Sequence, residues 1–244
     1  MRISLKTWTR YKDRLARINK SAVDDMVGYV QSIGGYMGHE QEVIDYAYAL
    51  ATKYGEAAGE LACQMYDATA RASKTARYIR PAEPARTSSR RRVETAVRKI
   101  AEHTQDPNTI GAVTGSQVKR VALKTIKQNA ARDGAEFAWI PSGDACAFCT
   151  TLASNGWQRI SADAVYDHEE HIHPNCNCTY AVRFDSDTEV EGYDPDELLE
   201  RYEKADGNSW RDKVNSMRRE DYAENADAIN EQKREAYARR KETS

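Results

Sequence analysis

Cys146-Ala-Phe-Cys149 and Cys176-Asn-Cys178 are separated by 26 residues, with His168-Glu-Glu-His171-Ile-His173 just ahead of the second pair. Four of the five cysteines and three of the five histidines fall within these 33 positions. That concentration constrains the fold more than any other feature, because the two pairs can act together only if the chain returns to bring them to one point. Zinc takes sulfur and nitrogen ligands in a tetrahedron, and a C-x-x-C turn offers two of them to one ion. Cys176 and Cys178 lie two apart, so in an extended chain both point to one face, and His173, held by Pro174, is the nearest nitrogen donor. Cys146, Cys149, His173, Cys176 and Cys178 are therefore five candidates for a structural zinc site of four ligands. Cys146, Cys149, His173 and one of the later cysteines are expected to fill it, with Cys178 ahead of Cys176 because it leads directly into a strand. Two disulfides, or inert buried thiols, are the competing readings.

The rest of the chain reads as mainly α: a long N-terminal helical hairpin, a small α+β module of zinc-knuckle type, and C-terminal helices. With 13 glycines and 6 prolines in 244 residues, helix breakers are sparse. Residues 1–80 are expected to form the hairpin. Leu5, Trp8, Tyr11, Leu15, Ile18, Ala22, Met26 and Ile33 recur at spacings of three and four, as one helix or one broken near Asn19. After Gly34-Gly35 a second helix is predicted from Glu40 to Tyr78, with Gly55 and Gly59 placed to admit its hairpin neighbour closely. Residues 81–113 read as a basic linker opening on Pro81-Ala-Glu-Pro84, then a short helix that Asp106-Pro107-Asn108 breaks. Residues 114–186 form the module: a helix from Thr114 or Ser116 to Arg132 closed by Gly134, a strand over Ala135–Trp139, a helical turn over Thr150–Ser154, and a strand over Thr179–Phe184. Residues 187–244 read as an acidic linker and helices starting at Asp194-Pro195 and Ser209. Two short strands and a turn bury little apolar surface, so a metal would act as the staple such a module needs.

Charge is uneven beneath a near-neutral total of 36 basic and 38 acidic residues. From Arg71 to Lys99 there are ten basic and two acidic residues. Within that stretch Arg80, Arg86, Arg90, Arg91 and Arg92 are candidates to grip nucleic-acid phosphates, against the plainer reading of a solvated helix face. The N-terminal sequence has no apolar signal core and no apolar run reaches membrane-spanning length, which points to a reducing cytoplasm where cysteine pairs more often hold metal than form disulfides. Catalytic templates fit poorly. A His-Asn-His nuclease needs a histidine after His173 and has none. A zinc deaminase needs H-x-E ahead of P-C-x-x-C, whereas the C-x-x-C here precedes His168 and Glu170. The zincin H-E-x-x-H is not matched by H-E-E-H. No enzymatic activity is expected.

The run A-E-F-A-W-I-P-S-G-D-A-C-A-F-C-T-T-L-A-S-N-G-W, followed by H-P-N-C-N-C and a short strand, resembles the phage minor head, or head-morphogenesis, proteins of the phage Mu F type. The likeness spans residues 116–184, including the helix before the first cysteines. It carries the family's C-x-x-C and H-x-x-C-x-C as Cys146, Cys149, His173, Cys176 and Cys178, with Asn177 where a basic residue is usual. The resemblance implies a virion structural protein, in the head interior or at the portal vertex, assembled in a bacterial cytoplasm. It would act in procapsid assembly or in genome packaging and delivery, with portal, major capsid or scaffold proteins, and packaged DNA, as partners. A zinc-stabilised DNA-binding module is the alternative, and a metal-dependent nuclease or toxin a more distant one.

Overall fold

Ser4 accepts a hydrogen bond from the Thr7 backbone N–H at 3.2 Å and starts helix α1, Leu5–Ser32. The helix is continuous through Asn19, and Trp8, Tyr11, Leu15, Ala22, Met26 and Val30 are buried along one stripe. Helix α2, Glu40–Ala72, follows the glycine turn and buries Val43, Ile44, Ala47, Leu50, Leu61 and Tyr66. It stops before the predicted Tyr78 for a tertiary reason. In a continued helix Lys74 N–H would bond Ala70 O; instead it donates to Asp185 Oδ2 at 3.1 Å, and the Ser73 hydroxyl donates to Ala70 O at 2.8 Å. The computed structural model describes residues 2–75, 77–143, 145–159, 176–228, 230–231 and 234–235.

Helix α3, Arg90–Ala101, is capped by Ser89. Helix α4 runs Pro107–Asp133, so it begins earlier than the sequence pattern suggests. Asp106-Pro107, read as a break, is also a start: Asp106 accepts from Thr109 N–H at 3.0 Å, and Pro107 occupies the first turn, where its missing N–H costs nothing. The helix ends at Gly134, whose φ of 57° is the left-handed conformation that closes a helix.

Helix α4 is the third member of the core, packing against both α1 and α2. Close approach depends on two pairs of glycines, each pair one helical turn apart. A Cβ at Gly111 would meet Val27 Cγ2 at 2.9 Å and Val23 O at 3.0 Å, and one at Gly115 would meet Asn19 Oδ1 at 2.7 Å. Gly55 and Gly59 of α2 face Val121 of α4, together with Thr87 and Pro84, and not α1 as a simple hairpin would require. The hairpin expectation is thus completed by a helix assigned from sequence to another region.

The segment between α2 and α3, which reads as a linker, is an extended strap held along α4 and α2. The Asn129 side chain accepts from Glu83 N–H at 3.0 Å and donates to Glu83 O at 2.8 Å. Thr125 Oγ1 accepts from Ala85 N–H at 2.9 Å, Asp67 Oδ1 from Ala82 N–H at 2.8 Å, and Gln117 Oε1 from the buried Ser88 hydroxyl at 3.0 Å. Prolines exclude helix here, and α4's buried polar side chains supply the partners that a helical or sheet backbone would otherwise find.

A three-stranded sheet carries the chain to the cysteines. Strand β2, Glu136–Ile140, pairs antiparallel with β3, Gln158–Arg159, on one side and β4, Thr179–Arg183, on the other. The register sets Trp139 opposite Tyr180, their rings edge to face at 4.9 Å, and Glu136 opposite Arg183, bonded at 2.6 Å. A short parallel ribbon pairs β1, Arg2–Ile3, with β5, Glu189–Val190. These elements make up one unit, Met1–Ser142 with Trp157–Tyr193.

The second unit, Gly143–Gly156 with Asp194–Ser244, holds helices α5, Ala147–Ala153, α6, Pro195–Lys204, and α7, Trp210–Glu224. Asp194 caps α6, accepting from the N–H groups of Asp196 and Glu197. Lys213 Nζ donates to the Tyr202, Glu203 and Ala205 carbonyls at its far end. The buried apolar cluster of this unit is Ala147, Ala205, Val214 and Met217, with Phe148 and Tyr202 packed against it.

Candidate metal centre

Strand pairing delivers the later cysteines. Thr179 opens β4, so Cys178 sits immediately before the sheet, and the alternation Cys176 buried, Asn177 exposed, Cys178 buried puts both thiols on the inner side. The first pair lies at the start of α5. Cys146 is its half-buried N-cap residue, and Cys149, inside the first turn, is fully buried. Among the described residues no disulfide joins two cysteines.

The ligand atoms of Cys149, Cys176 and Cys178 lie within 4.8 Å of one another. Zn–S bonds of about 2.3 Å in a tetrahedron require sulfurs roughly 3.8 Å apart, so three buried thiols at this separation fit a metal ion with little adjustment. Thiolates, not thiols, bind metal, and two groups favour the charged form. Ser142 N–H donates to Cys178 Sγ at 3.3 Å, with the Ser142 hydroxyl 3.6 Å from the same sulfur. Lys119 Nζ, on α4 and only 5% exposed, donates to the Cys176 carbonyl. A donor on sulfur stabilises the anion directly, and a buried lysine at the Cys176 carbonyl would offset negative charge if an ion were bound.

Among the five candidates read from the sequence, Cys149, Cys176 and Cys178 come together, both later cysteines included, whereas the spacing argument ranked one ahead of the other. Cys146 is outside this close group, and His173 lies outside the described residues. Cys63 is separate: burial pushes its thiol up to about 11, which keeps it protonated and inert at neutral pH. Lys119 and Ser142 escape sequence reasoning. A lysine beside Val118 in a helical pattern reads as surface, and nothing in the local sequence shows that this face of α4 meets the cysteine loop.

Of the basic candidates, Arg80, Arg86 and Arg91 are exposed and Arg92 is half-buried. Arg90 is engaged by Asp45 and, at 3.6 Å, by Glu94, so its charge is neutralised within the protein. Arg80 contributes its carbonyl, which accepts from Arg132 at 3.0 Å. Among the described residues no helix is long and apolar enough to cross a membrane.

A model of the VG15 protein family matches residues 2–205, a span that includes the three-helix core, the strap, the sheet and all five metal candidates. No curated protein and no solved structure matches the chain.

Proposed function

The chain belongs to the VG15 protein family, a family of viral (phage) gene products, and we propose that it is a minor-capsid, head-morphogenesis protein of the virion. In this reading it acts in procapsid assembly or in genome packaging and delivery near the portal, with portal, major capsid or scaffold proteins as partners, and it catalyses no reaction. The observation that carries the reading is the buried group of Cys149, Cys176 and Cys178, two of them leading into β4. It is the constellation on which the resemblance to phage minor head proteins over residues 116–184 rests.

On this reading the metal would be structural zinc, held by Cys149, Cys176 and Cys178 with Cys146 or His173 as the candidates for the fourth position. Such an ion would supply a rigid cross-link. The chain's own residues make the thiolates available: Ser142 donates to Cys178 sulfur, and Lys119 supplies positive charge beside Cys176. A site closed by four protein ligands has no open position for substrate, which agrees with an assembly role.

The direct test is to delete the gene from its phage and compare particles. Purified wild-type virions should contain the chain, and the deletion should leave immature or DNA-deficient heads that a plasmid copy restores. A chain absent from virions, with normal particle yield and infectivity in the deletion, would sink the reading.

A further inference from the structure

Where the strap runs into α3 it leaves a cavity of about 390 Å³ against α4, within the range of small-ligand sites, about 300–1,000 Å³. Its wall differs from an ordinary ligand pocket in being predominantly polar and cationic. Arg86 comes from the strap, Arg92 from the first turn of α3, and Arg120 and Lys124 from α4, with Ser88 and Ser89 between them. Among the described residues no carboxylate belongs to the lining. Arg120 is only 8% exposed, so one of the four cations stands deep in the wall.

Two arginines of α3 meet acids elsewhere: Arg90 meets Asp45 and Glu94, and Arg98 meets Glu94 at 2.9 Å. On the side facing α4, four cations converge on one cavity. Arg120 and Lys124 are one helical turn apart, a like-charge spacing that is unfavourable in isolation. Arg92 and Arg120 each hold a further contact; what points to a ligand is the convergence of charge on one wall, not the lack of a partner for any one cation.

We propose that this cavity is a phosphate-binding site, taking a phosphoryl group through Arg86, Arg92, Arg120 and Lys124. Guanidinium forks match the oxygens of phosphate in pairs, and the adjoining serine hydroxyls complete a donor set suited to an oxyanion. The chemistry is shared by the terminal phosphate of a small metabolite and the backbone phosphate of a nucleic acid. The site is distinct from the cysteine group and stands independently of the assembly role.

The experiment is titration calorimetry of the full chain with inorganic pyrophosphate at low ionic strength, on wild type, Arg86→Ala, Lys124→Ala and Arg91→Ala, each checked by circular dichroism for unchanged helicity. Arg86 and Lys124 are accessible enough for truncation to spare the core, and Arg91 is an exposed arginine outside the cavity. Binding should weaken on the order of tenfold in each of the first two variants and stay at the wild-type value in Arg91→Ala. A second arm adds a short DNA duplex as competitor. Displacement of pyrophosphate, with the same variants weakening duplex binding, identifies backbone phosphate as the source; no displacement identifies a free phosphorylated ligand. Absence of pyrophosphate binding at millimolar concentration, or equal weakening in Arg91→Ala and Lys124→Ala, overturns the proposal.

Discussion

The two units differ in how much hydrophobic core each possesses. In the larger, α1, α2 and α4 bury large side chains against one another, among them Tyr66, Met26, Ile44, Ile110, Leu123 and Ile126. In the smaller, a buried cluster among the described residues joins Ala147, Ala205, Val214 and Met217, and α6 has no fully buried residue. Burying a large apolar side chain contributes about 1.5–3 kcal/mol, so the first unit has a driving force of its own, and the described residues of the second supply much less. The difference teaches where a metal would matter. Cys149 belongs to α5, in the unit whose described residues bury less, and a metal ligand there would add to what packing supplies.

That contrast can be broken most forcefully at the cysteines. Structural zinc contributes on the order of 10 kcal/mol or more to folding of the segments it joins. Cys149→Ser and Cys178→Ser, or a strong chelator, should therefore abolish stoichiometric zinc and unfold the cysteine module. Most of the far-ultraviolet helical signal of α1, α2 and α4 should survive. Metal analysis with hydrogen exchange reads both effects; wild-type protection around Cys149 after complete zinc removal would show that the metal is dispensable.

A smaller effect is expected inside the three-helix core. Gly115→Val places a branched side chain where a Cβ alone would lie 2.7 Å from Asn19 Oδ1 and 2.8 Å from Val23 Cγ2. Overpacking of this kind costs about 1–3 kcal/mol, more than the few tenths recovered from helix propensity. Urea denaturation should show the loss with zinc content unchanged, which separates the helical core from the cysteine module.

The smallest effect concerns pH. Burial acts to raise the Asp133 carboxyl, but hydrogen bonds from Arg132 and Tyr66 prevail and hold it below the usual carboxylate range. A carboxyl depressed in the folded state stabilises the protein above its unfolded value, here 3.8, and loses that contribution as pH falls through the folded value. Asp133→Asn should cost about 1 kcal/mol at neutral pH, and the gap from wild type should close as the pH drops below 3.8. A constant gap across that window would mean that the Tyr66–Asp133–Arg132 contact acts through shape and not charge.

Much of this architecture was legible beforehand because it follows from local periodicity and local caps. Stripes at spacings of three and four marked α1 and α2, and Gly134 closed α4. The alternation through Phe137 and Trp139 placed a strand that does pair, antiparallel, with the one after Cys178. The helix after the proline-rich segment began at its serine, and Asp194-Pro195 began α6. What misled was context. Pro81 to Ser88 carries the composition of a linker and is a bound strap, since its partners Asn129, Thr125 and Gln117 come from a helix far along the chain. Asp106-Pro107 stops one helix and starts another, and the glycines at 111 and 115 that discourage a helix in isolation are retained because α1 must approach there.

By itself, then, the sequence determined the fold class, most helix positions and the stretch that holds the grouped thiols, because each depends on residue type at short spacing. Only the tertiary structure decided that α4 is the central helix and that Gly55 and Gly59 serve α4 instead of α1. Only it showed that Cys176 and Cys178 both join Cys149, with Lys119 beside them, and that arginines adjacent in sequence divide between internal ion pairs and a shared cavity. Those outcomes depend on which faces meet, and a helical pattern reports that a face is buried without reporting against what.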